Sequence, residues 1–166
     1  MMMSENDATD LLRKTEHIGV EIWIDGGWGV DALLGRQTRL HNDIDIFVQK
    51  KDSAAFTAML LSNGYRETEV EFTTNDHTAW IDPDNRIIDL HLFEFTETGS
   101  LCFEGGIYPA DILNGKGTIG GIAVRCLTVE AQILYHQGYK LKEKDIQDIL
   151  LLCSTFGLPV PEGIQR

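Results

Sequence analysis

Two aspartates in a short apolar segment have the spacing of metal ligands. Residues Asp43–Val48 read DIDIFV. Because side chains alternate between the two faces of a strand, Asp43 and Asp45 face the same side. Neighbouring carboxylates repel each other and aspartate is uncommon in strands, so the pattern favours a bound cation. Mg²⁺ is typically bound by a few carboxylates together with water and substrate phosphates.

A second segment, Ile87–Phe93, repeats this alternation with the sequence IIDLHLF. Asp89 and His91 share one face of the predicted strand, and apolar residues occupy the other. If the two strands are neighbours, Asp89 meets Asp43 and Asp45, and the three carboxylates surround a pair of Mg²⁺ ions. Such a pair bridges phosphates and stabilises charge on the attacking and leaving oxygens. Alternatively, the acids only protect an edge strand from pairing with another chain.

A glycine pair precedes the first acidic strand. Gly26 and Gly27 lie between a predicted strand and a predicted short helix. Glycine lets the backbone approach a ligand closely, and a helix N-terminus offers free amides, so the pair is suited to cradling phosphates. An ordinary strand-to-helix turn would use glycines too. We expect Trp28 to pack the helix into the core and Asp25 to cap it, and Asp25 is therefore left out of the catalytic set.

Five further side chains are candidates for binding substrate. Arg39 matches the geometry of phosphate and could reach a triphosphate. His41 could contact substrate or order the metal carboxylates, although a structural histidine would look the same. His91 could line an acceptor pocket or be a half-buried polar partner. Lys144 could contact phosphates or remain solvated, and Tyr139 could stack on a base or acceptor.

Composition narrows the class of partner. The formal net charge is −12, and no cluster of Lys and Arg appears, which disfavours nucleic acid. An acidic cleft suits a cationic small molecule, although acidic residues also simply keep a surface soluble. No apolar run approaches the roughly 20 residues that span a bilayer. The acidic N-terminus and three scattered cysteines predict a cytoplasmic protein with reduced thiols and no membrane partner.

Periodicity and turn residues predict an α+β chain, with helices on one side of a sheet and a helical C-terminal part. The stretch Thr96–Gly121 is glycine-rich and is expected to be irregular. The predicted strands are Glu21–Ile24, Asp43–Val48, Tyr65–Phe72, Thr78–Ile81, Ile87–Phe93 and Ile122–Cys126. The predicted helices are Asp7–Ile18, Trp28–Leu34, Asp52–Ser62, Thr128–Gln137 and Lys144–Phe156.

The order Gly26-Gly27-Trp28, Asp43-x-Asp45 and Asp89 resembles the DNA-polymerase-β-type nucleotidyltransferase superfamily. The finer string Thr38-Arg39-x-His41-x-Asp43-x-Asp45 is similar to small antibiotic nucleotidyltransferases, namely lincosamide O-adenylyltransferases and aminoglycoside 2″-adenylyltransferases. Three late strings resemble the short lincosamide branch. They are Glu130-Ala131-Gln132, His136-x-Gly138-Tyr139 and Lys144-Asp145.

The resemblance covers roughly residues 8 to 156 and implies a polymerase-β-type mixed sheet. Residues 1–126 would form the nucleotidyltransferase domain, and residues 127–166 a helical segment packed on it as one unit. The implied reaction is Mg²⁺-dependent transfer of AMP from ATP to a hydroxyl of a small antibiotic-like acceptor. A lincosamide is the expected acceptor, and an aminoglycoside or another small molecule is the alternative.

The resemblance also implies residue roles. Asp43 and Asp45 would hold both metal ions, and Asp89 would bind the ion nearer the acceptor and act as general base. Gly26 and Gly27 would cradle the phosphates. Members of the group resemble one another in forming homodimers, so a homodimer is expected. A non-catalytic nucleotide-binding regulatory module is the alternative of another class, and the three intact aspartates argue against it.

Overall fold

Nine strands join into one sheet over residues 2–164, which are the residues that the computed structural model describes. The main path runs β3-β4-β5-β2-β1-β9-β8, and β6 and β7 continue from β5. The strands are β1 (Ile22–Asp25), β2 (Asp43–Gln49), β3 (Arg66–Thr68), β4 (His77–Ile81), β5 (Ile87–Phe95), β6 (Leu101–Phe103), β7 (Gly106–Tyr108), β8 (Gly115–Ile119) and β9 (Ile122–Cys126). The helices are α1 (Glu5–His17), α2 (Gly26–Leu34), α3 (Ser53–Ser62), α4 (Val129–Tyr135) and α5 (Glu143–Phe156).

The two acidic strands are neighbours at the centre of the sheet. Strand β2 pairs with β5 in parallel, and β1 pairs with β2 in the antiparallel sense, so the sheet is mixed. Strand β9 pairs with β1 in parallel, and the outer pairings are antiparallel. The predicted adjacency of the two acidic strands is therefore confirmed, as is the predicted mixed sheet.

The apolar faces of the central strands explain where three of the helices lie. Ile44, Ile46, Ile88 and Leu90 are almost fully buried and belong to one cluster with side chains of α1, α2 and α3. The opposite face carries the acidic residues and a smaller cluster that includes Phe47. One face thus anchors the helices and leaves the other for the site.

The C-terminal helices pack against α2, and α4 also packs against the sheet through Ala131. Val30 of α2 packs with Ile133 of α4 and with Ile149 and Leu152 of α5. This cluster brings the first turn of α5 beside the start of α2. The proposed division of the chain at residue 126 stays a prediction, and Met1, Gln165 and Arg166 at its outer ends lie outside the described residues.

Two helices begin two residues earlier than predicted. Helix α1 starts at Glu5 because Ser4 caps it, with the Ser4 hydroxyl accepting from the Asp7 amide and Asp7 accepting from the Ser4 amide. Helix α2 starts at Gly26 rather than after the glycine pair. Both glycines therefore belong to the helix, and their amides lie in its first turn.

The prediction that Thr96–Gly121 is irregular is wrong. Strands β6, β7 and β8 lie within it, because Gly105, Gly120 and Gly121 form the turns of hairpins that propagate the sheet. The long predicted strand Tyr65–Phe72 is also wrong beyond Thr68. A turn closed by the Thr73 amide and the Val70 carbonyl takes the chain away from the sheet there. Among the described residues, no helix is both long and apolar enough to cross a bilayer.

Candidate active site

Three neighbouring strands each contribute an aspartate at the same level of the sheet. The register places Asp25 of β1 beside Asp45 of β2, and Asp45 beside Asp89 of β5. Asp43 lies two residues before Asp45 on the same face. The three predicted carboxylates are therefore together, and Asp25 joins them as a fourth.

Asp25 is the residue of this cluster that sequence reasoning left out. It occupies the N-cap position of α2 as expected, but its side chain makes no capping hydrogen bond. Its place beside Asp45 depends on the antiparallel pairing of β1 and β2. Nothing local in the sequence reveals that pairing, although a carboxylate directly before the glycine pair is a signal that could have been used.

The cluster is electrostatically unfavourable without a cation. Burial, followed by the negative charge of Asp43, raises the pKa of Asp45 to about 7. Burial, followed by the charges of Asp45 and Asp43, also raises the pKa of Asp89 to about 7. Burial and the charge of Asp45 raise the pKa of Asp25 as well. A divalent cation between these groups would relieve the repulsion and favour their ionised forms.

The donor set fits a hard cation such as Mg²⁺, because it consists of carboxylate oxygens from a rigid sheet. Among the described residues, no three His, Cys, Asp or Glu side chains are arranged to hold an ion by themselves. A magnesium site that shares its ion with water and substrate phosphates needs only one or two carboxylates. The arrangement therefore fits an ion that is also bound by water or by a phosphate-bearing ligand.

The glycine pair is required by close packing against the site. A Cβ added to Gly26 would lie 2.1 Å from Oδ2 of Asp45, and Gly26 has a φ of +59°. A Cβ added to Gly27 would lie 2.4 Å from Nη2 of Arg39. Only glycine lets the first turn of α2 approach both side chains this closely. The Asp25 carboxylate interacts with the amide of Gly26 and makes no capping bond further along the helix, so the later amides of that turn are available to an anion.

A cavity of about 520 Å³ opens in front of the carboxylates. Nine of the ten site residues predicted from the sequence line it. They are Gly26, Gly27, Arg39, Asp43, Asp45, Asp89, His91, Tyr139 and Lys144. Phe72 and Lys142 also line it and were not predicted. Lys144 stands at the rim in the first turn of α5, where its positive charge acts against the rise in the pKa of Asp45.

Arg39 is held in place by a buried acid from the far end of the chain. Its Nε donates to Oδ1 of Asp148 at 3.1 Å and its Nη2 to Oδ2 at 2.8 Å. The Asp148 side chain is only 2% exposed, whereas that of Arg39 is 20% exposed. Asp148 was missed by sequence reasoning, because it lies within the apolar pattern of α5 and its partner is 109 positions away.

His41 does not line the cavity, so the predicted direct contact with substrate is not supported. The residue is 2% exposed, its Nε2 lies 2.5 Å from Oδ2 of Asp31, and its Nδ1 lies 3.1 Å from Nη1 of Arg39. Its ring packs on Trp28, which is buried as predicted. His41 thus connects the buried Asp31 to Arg39 and helps to position the guanidinium.

His91 joins the carboxylates to a second, aromatic cavity of about 340 Å³. Its Nε2 lies 3.3 Å from Oδ1 of Asp45, and its ring stacks on Phe47 with a centroid distance of 4.6 Å. The second cavity shares Asp25, His91, Tyr135 and Tyr139 with the first. The two cavities are therefore adjoining parts of one cleft, with the carboxylates at one end.

Tyr139 stands at the boundary between the two cavities and is 55% exposed. Its hydroxyl donates to Oδ1 of Asp145 at 3.4 Å. Burial of the phenol and the charge of Asp145 raise its pKa above the usual range. A neutral phenol with a solvent-facing ring is suited to contact either a base or an acceptor.

Comparisons with known proteins agree with this geometry. A sequence model of the aminoglycoside-2″-adenylyltransferase family matches residues 8–152. A lincosamide resistance protein of Staphylococcus haemolyticus is 32% identical over 157 residues, which cover 89% of this chain and 96% of that protein. A 2″-aminoglycoside nucleotidyltransferase of Klebsiella pneumoniae is 28% identical over 157 residues, covering 89% and 84%.

Solved structures give the same result. The crystal structure of the lincosamide antibiotic adenylyltransferase LnuA, bound to lincomycin, superimposes with a TM-score of 0.81 at 30% identity, covering 93% of this chain and 99% of LnuA. ANT(2″)-Ia in complex with adenylyl-2″-tobramycin gives 0.71 at 23% identity, covering 92% and 89%, which shows the shared fold. The predicted nucleotidyltransferase fold is confirmed, and this chain belongs to the aminoglycoside-2″-adenylyltransferase family and is an adenylyltransferase.

Proposed function

We propose that this enzyme transfers AMP from ATP to a hydroxyl group of a lincosamide and thereby confers antibiotic resistance. The observation that carries the choice of acceptor is the aromatic cavity beside the carboxylates. Its lining includes Phe47, Leu101, Phe103 and Tyr108, and among the described residues neither Lys nor Arg lines it. Such walls suit an acceptor with an apolar body and one amine better than a molecule that is polar and cationic throughout.

The relatives support the same acceptor. The Staphylococcus haemolyticus protein is named for lincosamide resistance, and LnuA was solved with lincomycin bound. An aminoglycoside acceptor is the second candidate, since the matching family model and the 28% identical relatives are named for 2″-aminoglycosides. The five aspartates that line the larger cavity would suit its amines.

The nucleotide would lie in the larger cavity. Asp43 and Asp45 would hold two Mg²⁺ ions together with the triphosphate, and the ions would neutralise the charge that develops on the phosphates. The amides of the first turn of α2, at Gly26 and Gly27, would donate to phosphate oxygens. Lys144 at the rim would contact the same phosphates as a point charge.

The acceptor would reach the carboxylates from the aromatic cavity, past His91 and Tyr139. Asp89 would accept the proton of the acceptor hydroxyl, whose oxygen then forms a bond to the α-phosphorus while the bond to pyrophosphate breaks. The register position of Asp89 beside Asp45 supports this role, because a base there would also bind the metal ion nearer the acceptor. Asp25, on the other side of Asp45, is a further candidate ligand.

The first test is direct. The purified enzyme is incubated with Mg²⁺, ATP and either lincomycin or tobramycin, and pyrophosphate and the mass of the acceptor are measured. The proposal requires pyrophosphate release that depends on lincomycin, with a product heavier by one AMP unit, and Asp89→Asn should abolish both. Release with tobramycin alone would favour the second candidate. No transfer to either acceptor would point to a different hydroxylated acceptor.

We also propose that the enzyme works as a homodimer in the cytoplasm, where ATP and Mg²⁺ are available. The support for a dimer is the resemblance to its group, together with exposed apolar side chains at Phe95 and Ile107 near the β6–β7 hairpin. Sedimentation equilibrium tests it, and a single species with the mass of one chain would contradict it.

A further inference from the structure

The hairpin that joins β6 to β7 holds a glutamate in an unusual backbone conformation. Glu104 has a φ of +48° and the following Gly105 a φ of +76°. Two central residues with positive φ form the tight turn that normally carries Asn-Gly or Asp-Gly, since other side chains are strained there. Strained residues of this kind concentrate at functional sites, where the surrounding structure keeps them in place.

Glu104 is an exposed residue that lines the aromatic cavity. Its Oε1 accepts a hydrogen bond from Oγ1 of Thr74 at 2.6 Å. Its other oxygen has no hydrogen-bond partner within residues 2–164. The carboxylate is thus oriented by one fixed bond and has capacity for a further donor.

Two acidic residues, Asp25 and Glu104, line the aromatic cavity. Asp25 lines both cavities and belongs to the carboxylate cluster, whereas Glu104 lines the aromatic cavity and not the larger one. The negative charge of Glu104 still reaches His77 and His91, whose pKa values it acts to raise. The same cavity is lined by the aromatic side chains of Phe47, Phe103 and Tyr108. The faces of aromatic rings attract cations.

We propose that Glu104 is the specificity-determining residue that binds the protonated amine of the acceptor. This inference rests on the proposed function and adds a second group, besides Asp89, that recognises the acceptor. The amine at Glu104 and the hydroxyl at Asp89 would fix the acceptor between the two ends of the cleft. The shorter Asn or Asp that this turn normally favours would place its polar group nearer the backbone, which gives a reason for glutamate despite its strain.

The test replaces Glu104 with glutamine, which keeps the size of the side chain and can still accept from Thr74. We expect KM for lincomycin to rise about tenfold, as for the loss of one charge-assisted hydrogen bond. KM for ATP should stay unchanged, and kcat should change by less than about threefold, because the chemistry lies at the other end of the cleft. Calorimetric titration of lincomycin should show the same loss of affinity.

The matched control is Glu97→Gln, which removes an equal charge from the neighbouring exposed turn after β5. Glu97 lines neither cavity, so its variant should bind lincomycin as the wild type does. An equal rise in KM for both variants would show a general effect of charge and overturn the assignment. An unchanged KM in Glu104→Gln, with wild-type turnover of lincomycin intact, would overturn it as well.

A third variant separates binding from structure. Glu104→Gly removes the carboxylate and also relieves the positive φ, so it should melt at or above the temperature of Glu104→Gln while showing the same loss of lincomycin affinity. Retained affinity in the glycine variant would contradict the proposal. If the wild type binds neither lincomycin nor tobramycin, the proposed function fails, and the role of Glu104 fails with it.

Discussion

Arg39 and Asp148 form a two-point ion pair that joins the segment before β2 to the middle of α5. The planar guanidinium donates through Nε and Nη2 to the two carboxylate oxygens, at 3.1 and 2.8 Å. This geometry fixes the orientation of Arg39 as well as its position. Nδ1 of His41 lies 3.1 Å from Nη1 of Arg39, so contacts on all sides restrict movement of the guanidinium. The C-terminal helix therefore sets one wall of the larger cavity.

We predict that Asp148→Asn destabilises the enzyme by about 2–3 kcal/mol, since it leaves a partly buried guanidinium without its counter-ion. KM for ATP should also rise, because Arg39 loses its orientation. Urea unfolding and steady-state kinetics measure the two effects. Asp10→Asn is the control, because it breaks the exposed pair with Lys14 and should cost less than about 1 kcal/mol. Equal stability of the two variants would show that the Arg39–Asp148 pair has no structural role.

Strand alternation was enough to place the three predicted aspartates. Asp43, Asp45 and Asp89 each sit in an apolar run whose period of two identifies their face without any knowledge of the tertiary fold. Asp148 and Glu104 could not be found this way. The role of Asp148 depends on a partner 109 positions away, and that of Glu104 on a backbone conformation that its residue type does not favour.

Dependence on tertiary structure also explains the errors in the predicted fold. The glycines of residues 96–121 were interpreted as signs of irregular structure, whereas they form turns between short strands. A strand of three residues such as β6 is stabilised by its neighbours and carries no periodic signal of its own. Helix α2 in turn begins with two glycines, because Asp45 and Arg39 need the space that a side chain at these positions would fill.

The close approach of Gly26 to Asp45 gives a second prediction. Gly26→Ala adds a Cβ 2.1 Å from the Asp45 carboxylate at a φ of +59°, so it should lower kcat at least about 100-fold by displacing that carboxylate. The matched control is Gly121→Ala, where φ is +79° and no atom lies within 4 Å of the added Cβ. It should cost about 1 kcal/mol of stability from backbone strain and leave kcat unchanged. Similar kcat values for the two variants would contradict the packing argument.

The metal assignment gives a third prediction. Asp45→Asn should reduce kcat at least about 100-fold, because loss of a ligand to both ions removes several kcal/mol of transition-state stabilisation. Chelation with EDTA should abolish activity of the wild type, and added Mg²⁺ should restore it. Asp52→Asn is the control, since that side chain makes no capping bond and lines no part of the cleft. Activity of Asp45→Asn near the wild-type rate would remove Asp45 from the metal site.

His77 gives a prediction about stability and pH. Burial, followed by the charge of His91, lowers the pKa of His77 to about 4. In the unfolded chain the imidazole has its ordinary pKa of about 6.5. Between these values the unfolded state binds the proton and the folded state does not, so the contribution of His77 to stability should fall as the pH is lowered from about 6.5 to about 4. Asp45 and Asp89, whose pKa values are raised to about 7, contribute with the opposite sign in this range. His77→Asn removes the histidine contribution, so the stability of the variant relative to the wild type should rise as the pH is lowered, as measured by urea unfolding at several pH values. The same slope in wild type and His77→Asn would show that His77 does not contribute to it.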